Sequence, residues 1–190
     1  MRKIITILFM VMLALAACDD GGAYRNPTSA PTPTSEGGVP ATVSASDNNI
    51  RVPVVRITDG DTIQVEINGE WVYVRYIGMN TPEIAHSASE TDQPCGQDAA
   101  EANRRLVEGQ VVRLEKDVSD TDRYGRLLRY VYLGDTFVNA ALVREGWAEV
   151  VSYPPDTREF ENFRALEQEA EAAGRGCHPT GIFVDDSYER

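Results

Sequence analysis

A chain of 190 residues with 42% hydrophobic and 25% charged side chains can fill one core of ordinary globular composition, which excludes a wholly disordered polymer and a multi-span membrane protein. Its formal charge of -12, from 18 basic against 30 acidic residues, argues against a protein that coats nucleic acid by bulk electrostatics. Any phosphate it handles must be gripped locally, by a few arginines or a metal. Three cysteines and two histidines do not supply the paired C-x-x-C and H-x-x-x-H spacing of a zinc cage.

Arg2 and Lys3 precede an apolar run over residues 4–17, the n-region and h-region expected of a signal peptide covering residues 1–17. The run is short of the ~20 residues a transmembrane helix needs. It leads into Leu15-Ala16-Ala17-Cys18, which resembles the lipobox of bacterial lipoproteins. The resemblance implies a lipidated Cys18. The protein would then be exported and held at the cell membrane by its lipid anchor only, facing the extracellular or periplasmic side. Residues 18–49 are rich in Pro, Ser, Thr and Gly and poor in large apolar side chains, which predicts a disordered tether.

From residue 50 the texture changes. Val52, Val54, Val55, Ile57, Ile63, Val65 and Ile67 supply the β-branched pattern of a half-buried sheet. Asn68-Gly69 suits a tight hairpin turn between strands at 62–67 and 71–77. A strand follows at 111–115, and a second hairpin joins 127–133 to 137–138 through Gly134-Asp135. Helices are predicted at 96–108, ending at Gly109, at 139–145, ending at Gly146, and at 156–173, beginning after Pro154-Pro155 and ending at Gly174. In that last helix Phe160, Phe163, Leu166 and Ala170 face inward and the glutamates form a solvated face. About five strands and three helices, with local β pairs first, predict a mainly β protein of α+β class. An antiparallel, partly closed barrel with helices at its ends fits this order, and the five-stranded OB-type Greek-key barrel is one such solution, expected over residues 50–184 with a tail at 185–190.

Four short constellations carry polar residues suited to chemistry: Asp59-Gly60-Asp61-Thr62; Arg75 leading into Asn80-Thr81-Pro82-Glu83; Asp122-Arg123-Tyr124-Gly125-Arg126; and the run from Asn139 to Gly146. Singly, each reads as a turn or a solvated strand edge. Together and in this order, over most of residues 54–176, they resemble the staphylococcal nuclease (thermonuclease-like) family. That resemblance implies a Ca²⁺-dependent phosphodiesterase acting on DNA and, as a second substrate, RNA. Asp61, Asn80 and the backbone carbonyl of Thr81 would hold the metal, with Asp59 ordering its water shell. Arg75 and Arg126 would clamp the scissile phosphate, and Glu83 would activate the water. Arg123, Tyr124 and Tyr153 would bind the flanking substrate. Planar guanidinium donors beside a divalent cation meet the charge that builds on the phosphate oxygens.

Asn80 stands where familiar members of that family carry Asp. An amide oxygen still ligates Ca²⁺, but with one negative charge fewer, so Mg²⁺ or Mn²⁺ could serve instead. Cys95 and Cys177, an even pair in an exported chain, are expected to form a disulfide, with two free thiols as the alternative. His86 reads as surface loop, and Trp71 and Trp147 as core or barrel wall rather than stacking platforms. A monomer is the default. The competing functional reading is a weak or inactive barrel that binds nucleic acid or a protein partner without turnover, which the acidic surface and Asn80 favour.

Overall fold

The computed structural model describes residues 48–183. The signal peptide, Cys18, the tether up to residue 47 and the tail at 185–190 lie outside the described residues. The first strand, β1 (Ile50–Asp59), is bent. Its residues 50–53 pair with β5 (Val111–Glu115) and its second half pairs with β2 (Thr62–Ile67). A register shift between Val54 and Arg56 marks the bend: it keeps Ile57 inside after Val54 while Arg56 stays exposed. Bulges of this kind let one strand turn a barrel corner. Asn68 and Gly69, with φ of 54° and 85°, make the turn from β2 into β3 (Glu70–Tyr76).

Closure comes from β3 pairing in parallel with β6 (Leu127–Leu133), which also lies antiparallel to β5. Five strands thus form a closed mixed barrel, the five-stranded solution the sequence pattern predicts, with β3 and β6 parallel where an antiparallel pairing is expected. Its filling is the alternating set Val52, Val54, Ile57, Ile63, Val65, Val74, Val112, Leu114 and Val131, all buried. Each such side chain contributes about 1.5–3 kcal/mol when fully withdrawn from water. The expected partner of β6 is β7 (Thr136–Phe137), and two further two-residue strands are added, β4 (Met79–Asn80) and β8 (Glu149–Val150), paired with each other.

The helices are α1 (Gly96–Val107), α2 (Val138–Arg144) and α3 (Phe160–Ala172). Asn139 ties α2 to the barrel: its amide donates to the Ile77 carbonyl at 3.1 Å and accepts from the Val131 N–H at 2.9 Å. Phe163 of α3 packs against Tyr130 and Phe137. The Cys95–Cys177 disulfide is present and staples the residue before α1 to the segment after α3.

Three further expectations need correction. The third helix starts at Phe160, not at Asp156, because Asp156 is used as a strap. Its carboxylate accepts the N–H groups of Val118 and Ser119 at 2.9 and 2.8 Å, and its own N–H bonds the Tyr153 carbonyl. Trp71 is not core: it lies on the outward face of β3 with 65% of its surface exposed, whereas Trp147 packs partly buried against the core. The α3 glutamates are not uniformly solvated, since Glu167 is buried.

Candidate active site

The turn from β1 into β2 holds Asp59, Gly60, Asp61 and Thr62. It packs so closely on Thr81 that a Cβ at Gly60 would meet the threonine side chain at 2.7–2.8 Å, a distance no real side chain tolerates. Only glycine permits the approach. Asp61 is buried there. Its Oδ2 accepts the Thr81 N–H at 2.9 Å, and its Oδ1 accepts the Thr62 hydroxyl at 3.0 Å and is ion-paired with Arg75.

Arg75 sits opposite Thr62 in the β2–β3 ladder. A second guanidinium nitrogen donates to Asn80 Oδ1 at 2.7 Å. Asn80 in turn donates to Glu149 Oε1 at 3.0 Å, across the β4–β8 register that sets the two residues opposite each other. Burial, helped by the nearby Arg126 charge, lowers the Arg75 pKa to about 10, so it remains a cation at neutral pH. Tyr153 and Glu83 are near enough to act on it electrostatically.

Glu83 is fixed through its backbone. Its N–H donates to Gln93 Oε1 and its carbonyl accepts the Gln93 N–H, both at 2.9 Å. Gly96 allows the loop to close, since a Cβ there would lie 2.5 Å from the Glu83 carbonyl. The Glu83 carboxyl hydrogen-bonds that of Asp59. Burial of Asp59, then this hydrogen bond and the repulsion of Glu83, push its pKa up to about 7 against the opposing Gly60 N–H and Arg75. His86 Nε2 stands 3.5 Å from Asp59 Oδ2 with the ring half exposed. Donor atoms of Asp59, Glu83 and His86 all lie within 4.8 Å of one another, so these three could hold an ion.

On the facing loop, Arg126 donates to Asp122 through its Nε at 2.6 Å and its backbone N–H at 3.0 Å. Partial burial opposes ionisation of Asp122, yet the hydrogen bonds from Arg126 and Tyr124 outweigh it and hold the carboxyl below its ordinary value. Tyr124 is 67% exposed. Arg123 donates to its hydroxyl at 2.7 Å and lies 4.8 Å from its ring centre.

A cleft of about 380 Å³ gathers Asp59, Asp61, Thr62, Tyr73, Glu83, His86, Tyr124 and Arg126 on its walls. Arg75, Asn80 and Thr81 lie one layer behind, against Asp61. Arg123 and Tyr153 stand outside that wall, Tyr153 on the Arg75 side. Several contributors escaped sequence reading. Asn103 of α1 accepts from the Tyr76 hydroxyl and donates to the Asp59 carbonyl; an amide on an otherwise apolar helix face was its signal. His86 is a cleft residue rather than plain surface loop. Gln93 and Glu149 carried no local sign at all.

A small closed barrel whose wall carries two arginines, a buried aspartate and a carboxyl pair around one cleft is an OB-type fold built to handle an anionic ester. The family model described as staphylococcal nuclease homologue matches residues 73–177, and the chain belongs to that family. It is 36% identical to endonuclease YncB of Bacillus subtilis (strain 168) over 90% of each chain. It is 33% identical to the thermonuclease of Staphylococcus hyicus, over 90% of this chain and 95% of the other. With the thermonuclease of Staphylococcus intermedius it shares 39% identity, over 62% and 67% of the two chains. The family, the barrel class and the enzyme class read from the motifs are thereby borne out: the chain is a nuclease-type phosphodiesterase whose substrate is nucleic acid.

Proposed function

We propose that the chain is an exported, membrane-tethered nuclease that uses Ca²⁺, with Mg²⁺ or Mn²⁺ as substitutes, to hydrolyse phosphodiester bonds in DNA and secondarily in RNA. The observation that supports this reading best is the meeting of Arg126, Glu83, Asp59 and Asp61 on one cleft with Arg75 directly behind it. Attachment would come through Cys18 and the tether. Among the described residues no helix is long and apolar enough to cross a membrane.

The residues fit a hard divalent cation. Asp61 Oδ1 and Asn80 Oδ1 already converge on one positive group, the Arg75 guanidinium, and Thr81 is hydrogen-bonded to the same carboxylate. Asp61, Asn80 and Thr81 would hold the ion through oxygen ligands only. Bound there, it supplies positive charge beside the phosphate. Arg75 and Arg126 repel each other, and a phosphate between them would turn that repulsion into two attractions. Because charge grows on the equatorial oxygens as the bond breaks, both guanidinium groups gain most in the transition state. Glu83 would orient the attacking water and accept its proton. Its backbone is pinned by Gln93, and its carboxyl is aimed by the hydrogen bond to Asp59.

The test is cleavage of a single-stranded oligonucleotide by the full chain in detergent, with Ca²⁺ and then with chelator. Cleavage that stops with chelator and falls at least 100-fold in Glu83→Gln and in Arg126→Ala is the expected result. Undiminished cleavage in either variant refutes the assignment of roles. Membrane fractionation of native chain against Cys18→Ser tests the anchor, with release of the variant expected.

A further inference from the structure

Trp71 and Tyr73 are large rings left in water, at 65% and 45% exposure. Strand periodicity explains the direction they take. Val72, Val74 and Tyr76 of β3 turn toward the barrel core, so residues 71, 73 and 75 share the outer face. Along that face the order is Trp71, Tyr73, Arg75. The last is the guanidinium behind the cleft, and Tyr73 itself forms part of the cleft wall. The exposed rings therefore continue the candidate active site rather than forming an isolated patch.

We propose that Trp71 and Tyr73 form a stacking strip for unpaired nucleobases next to the scissile phosphate, extending the substrate site along the outer face of β3. This rests on the nuclease reading of the cleft. Alternate residues on a strand stand about 6.6 Å apart, close to twice the 3.4 Å rise per nucleotide of a stacked strand. Rings and bases can thus alternate along the strip without distortion. Arg56 is exposed and lies across Gln64 from Tyr73 in the ladder, where it can meet a backbone phosphate. Near Trp71 the neighbours are acidic: Glu66 is its register partner and Glu70 precedes it. A phosphate backbone is repelled there and a neutral base is not, so this end of the strip takes the flat face of a base. Every base has such a face, and recognition is tolerant of sequence.

The experiment uses the full chain in detergent with chelator present, so that binding is read without turnover. The probes are a fluorescein-labelled thymidine octanucleotide, followed by anisotropy, and a thymidine dinucleotide. Trp71→Ala and Tyr73→Ala are each expected to weaken octamer binding by roughly 5- to 100-fold, and Trp71→Phe to recover most of that loss. The octamer should quench Trp emission in the native chain and fail to do so in Trp71→Phe. With Ca²⁺ restored, the preference in KM for octamer over dinucleotide should fall in Trp71→Ala by the same factor, with kcat for the octamer little changed. Octamer affinity within twofold of native in the Trp71→Ala/Tyr73→Ala double variant overturns the proposal, as does quenching that survives Trp71→Phe. Ring-dependent binding without any cleavage would refute the nuclease reading and leave the strip standing. Cleavage indifferent to both rings would do the reverse.

Discussion

Glu167→Gln removes a buried charge from α3 and is expected to stabilise the fold in a pH-dependent way. The Glu167 Oε1 accepts the Val150 N–H at 2.7 Å, while Oε2 has no hydrogen-bond partner among the described residues. Desolvation outweighs that single bond, and Glu149 and Glu171 add repulsion, so the pKa rises from 4.5 to about 7. Below pH 4.5 both folded and unfolded chains carry the proton and nothing is lost. Between pH 4.5 and 7 the unfolded chain has released it while the folded chain retains it. The unfolded state then binds fewer protons, and stability falls as pH rises. Above pH 7 the full cost is present. At 1.36 kcal/mol per tenfold it amounts to roughly 3 kcal/mol, and partial solvent screening reduces it to about 1–3 kcal/mol. Glutamine keeps the acceptor for Val150 and turns the other atom into a donor facing carboxylates. The variant should therefore melt about 3–10 °C above native at pH 8 and coincide with it near pH 4.5. Thermal and urea unfolding of both chains across that range is the assay. Asp59, also raised to about 7, bends both curves alike and cancels in the difference. An offset independent of pH, or a less stable variant at pH 8, refutes the argument.

Asn80→Asp alone is expected to tighten Ca²⁺, because the new carboxylate would lie 3.0 Å from Glu149 Oε1, where the amide now donates, and a bound cation relieves that repulsion. Adding Glu149→Gln removes that relief along with one nearby negative charge and should weaken Ca²⁺ at least tenfold relative to the single variant, about 1.4 kcal/mol, by isothermal titration. Equal affinities for the two would show that Glu149 does not set the strength of the site. Opening the Cys95–Cys177 bridge, with its separation of 82 residues, should cost about 4–5 kcal/mol in urea unfolding of Cys95→Ser/Cys177→Ser. Because Cys95 lies two residues from Gln93, which pins the Glu83 backbone, kcat is expected to fall as well, measured well below the melting range. A loss under 1 kcal/mol would mean that the open loop is already constrained by other contacts.

What could be read from sequence was whatever is local. The Asn68-Gly69 turn fixes its hairpin because two successive residues with positive φ demand that pair, and the β-branched alternation from Val52 to Ile67 marks the barrel wall. Both need only near neighbours, and both appear as expected. The motifs also named Asp61, Arg75 and Glu83, and the fold places Asp61 and Glu83 on one cleft with Arg75 paired to Asp61. Two of the misreadings, at Asp156 and Glu167, involve partners far along the chain. Asp156 resembles a helix opener after two prolines until its carboxylate is claimed by Val118 and Ser119, and helix propensity is too weak to resist two partly buried hydrogen bonds. Glu167 resembles any solvated helix glutamate until β8 offers it the Val150 N–H. Trp71 resembles core by composition, yet strand parity assigns it outward, and parity could have been counted once Val74 was placed inside. Asn80 is the instructive case. Read along the chain it is a ligand short of a charge. Read across β4 and β8 it is an amide held by a carboxylate 69 residues away, a position where an aspartate would meet a like charge. The residue at 80 and the residue at 149 are therefore one electrostatic choice, and the metal preference of this nuclease should be sought in the pair rather than in the ligand alone.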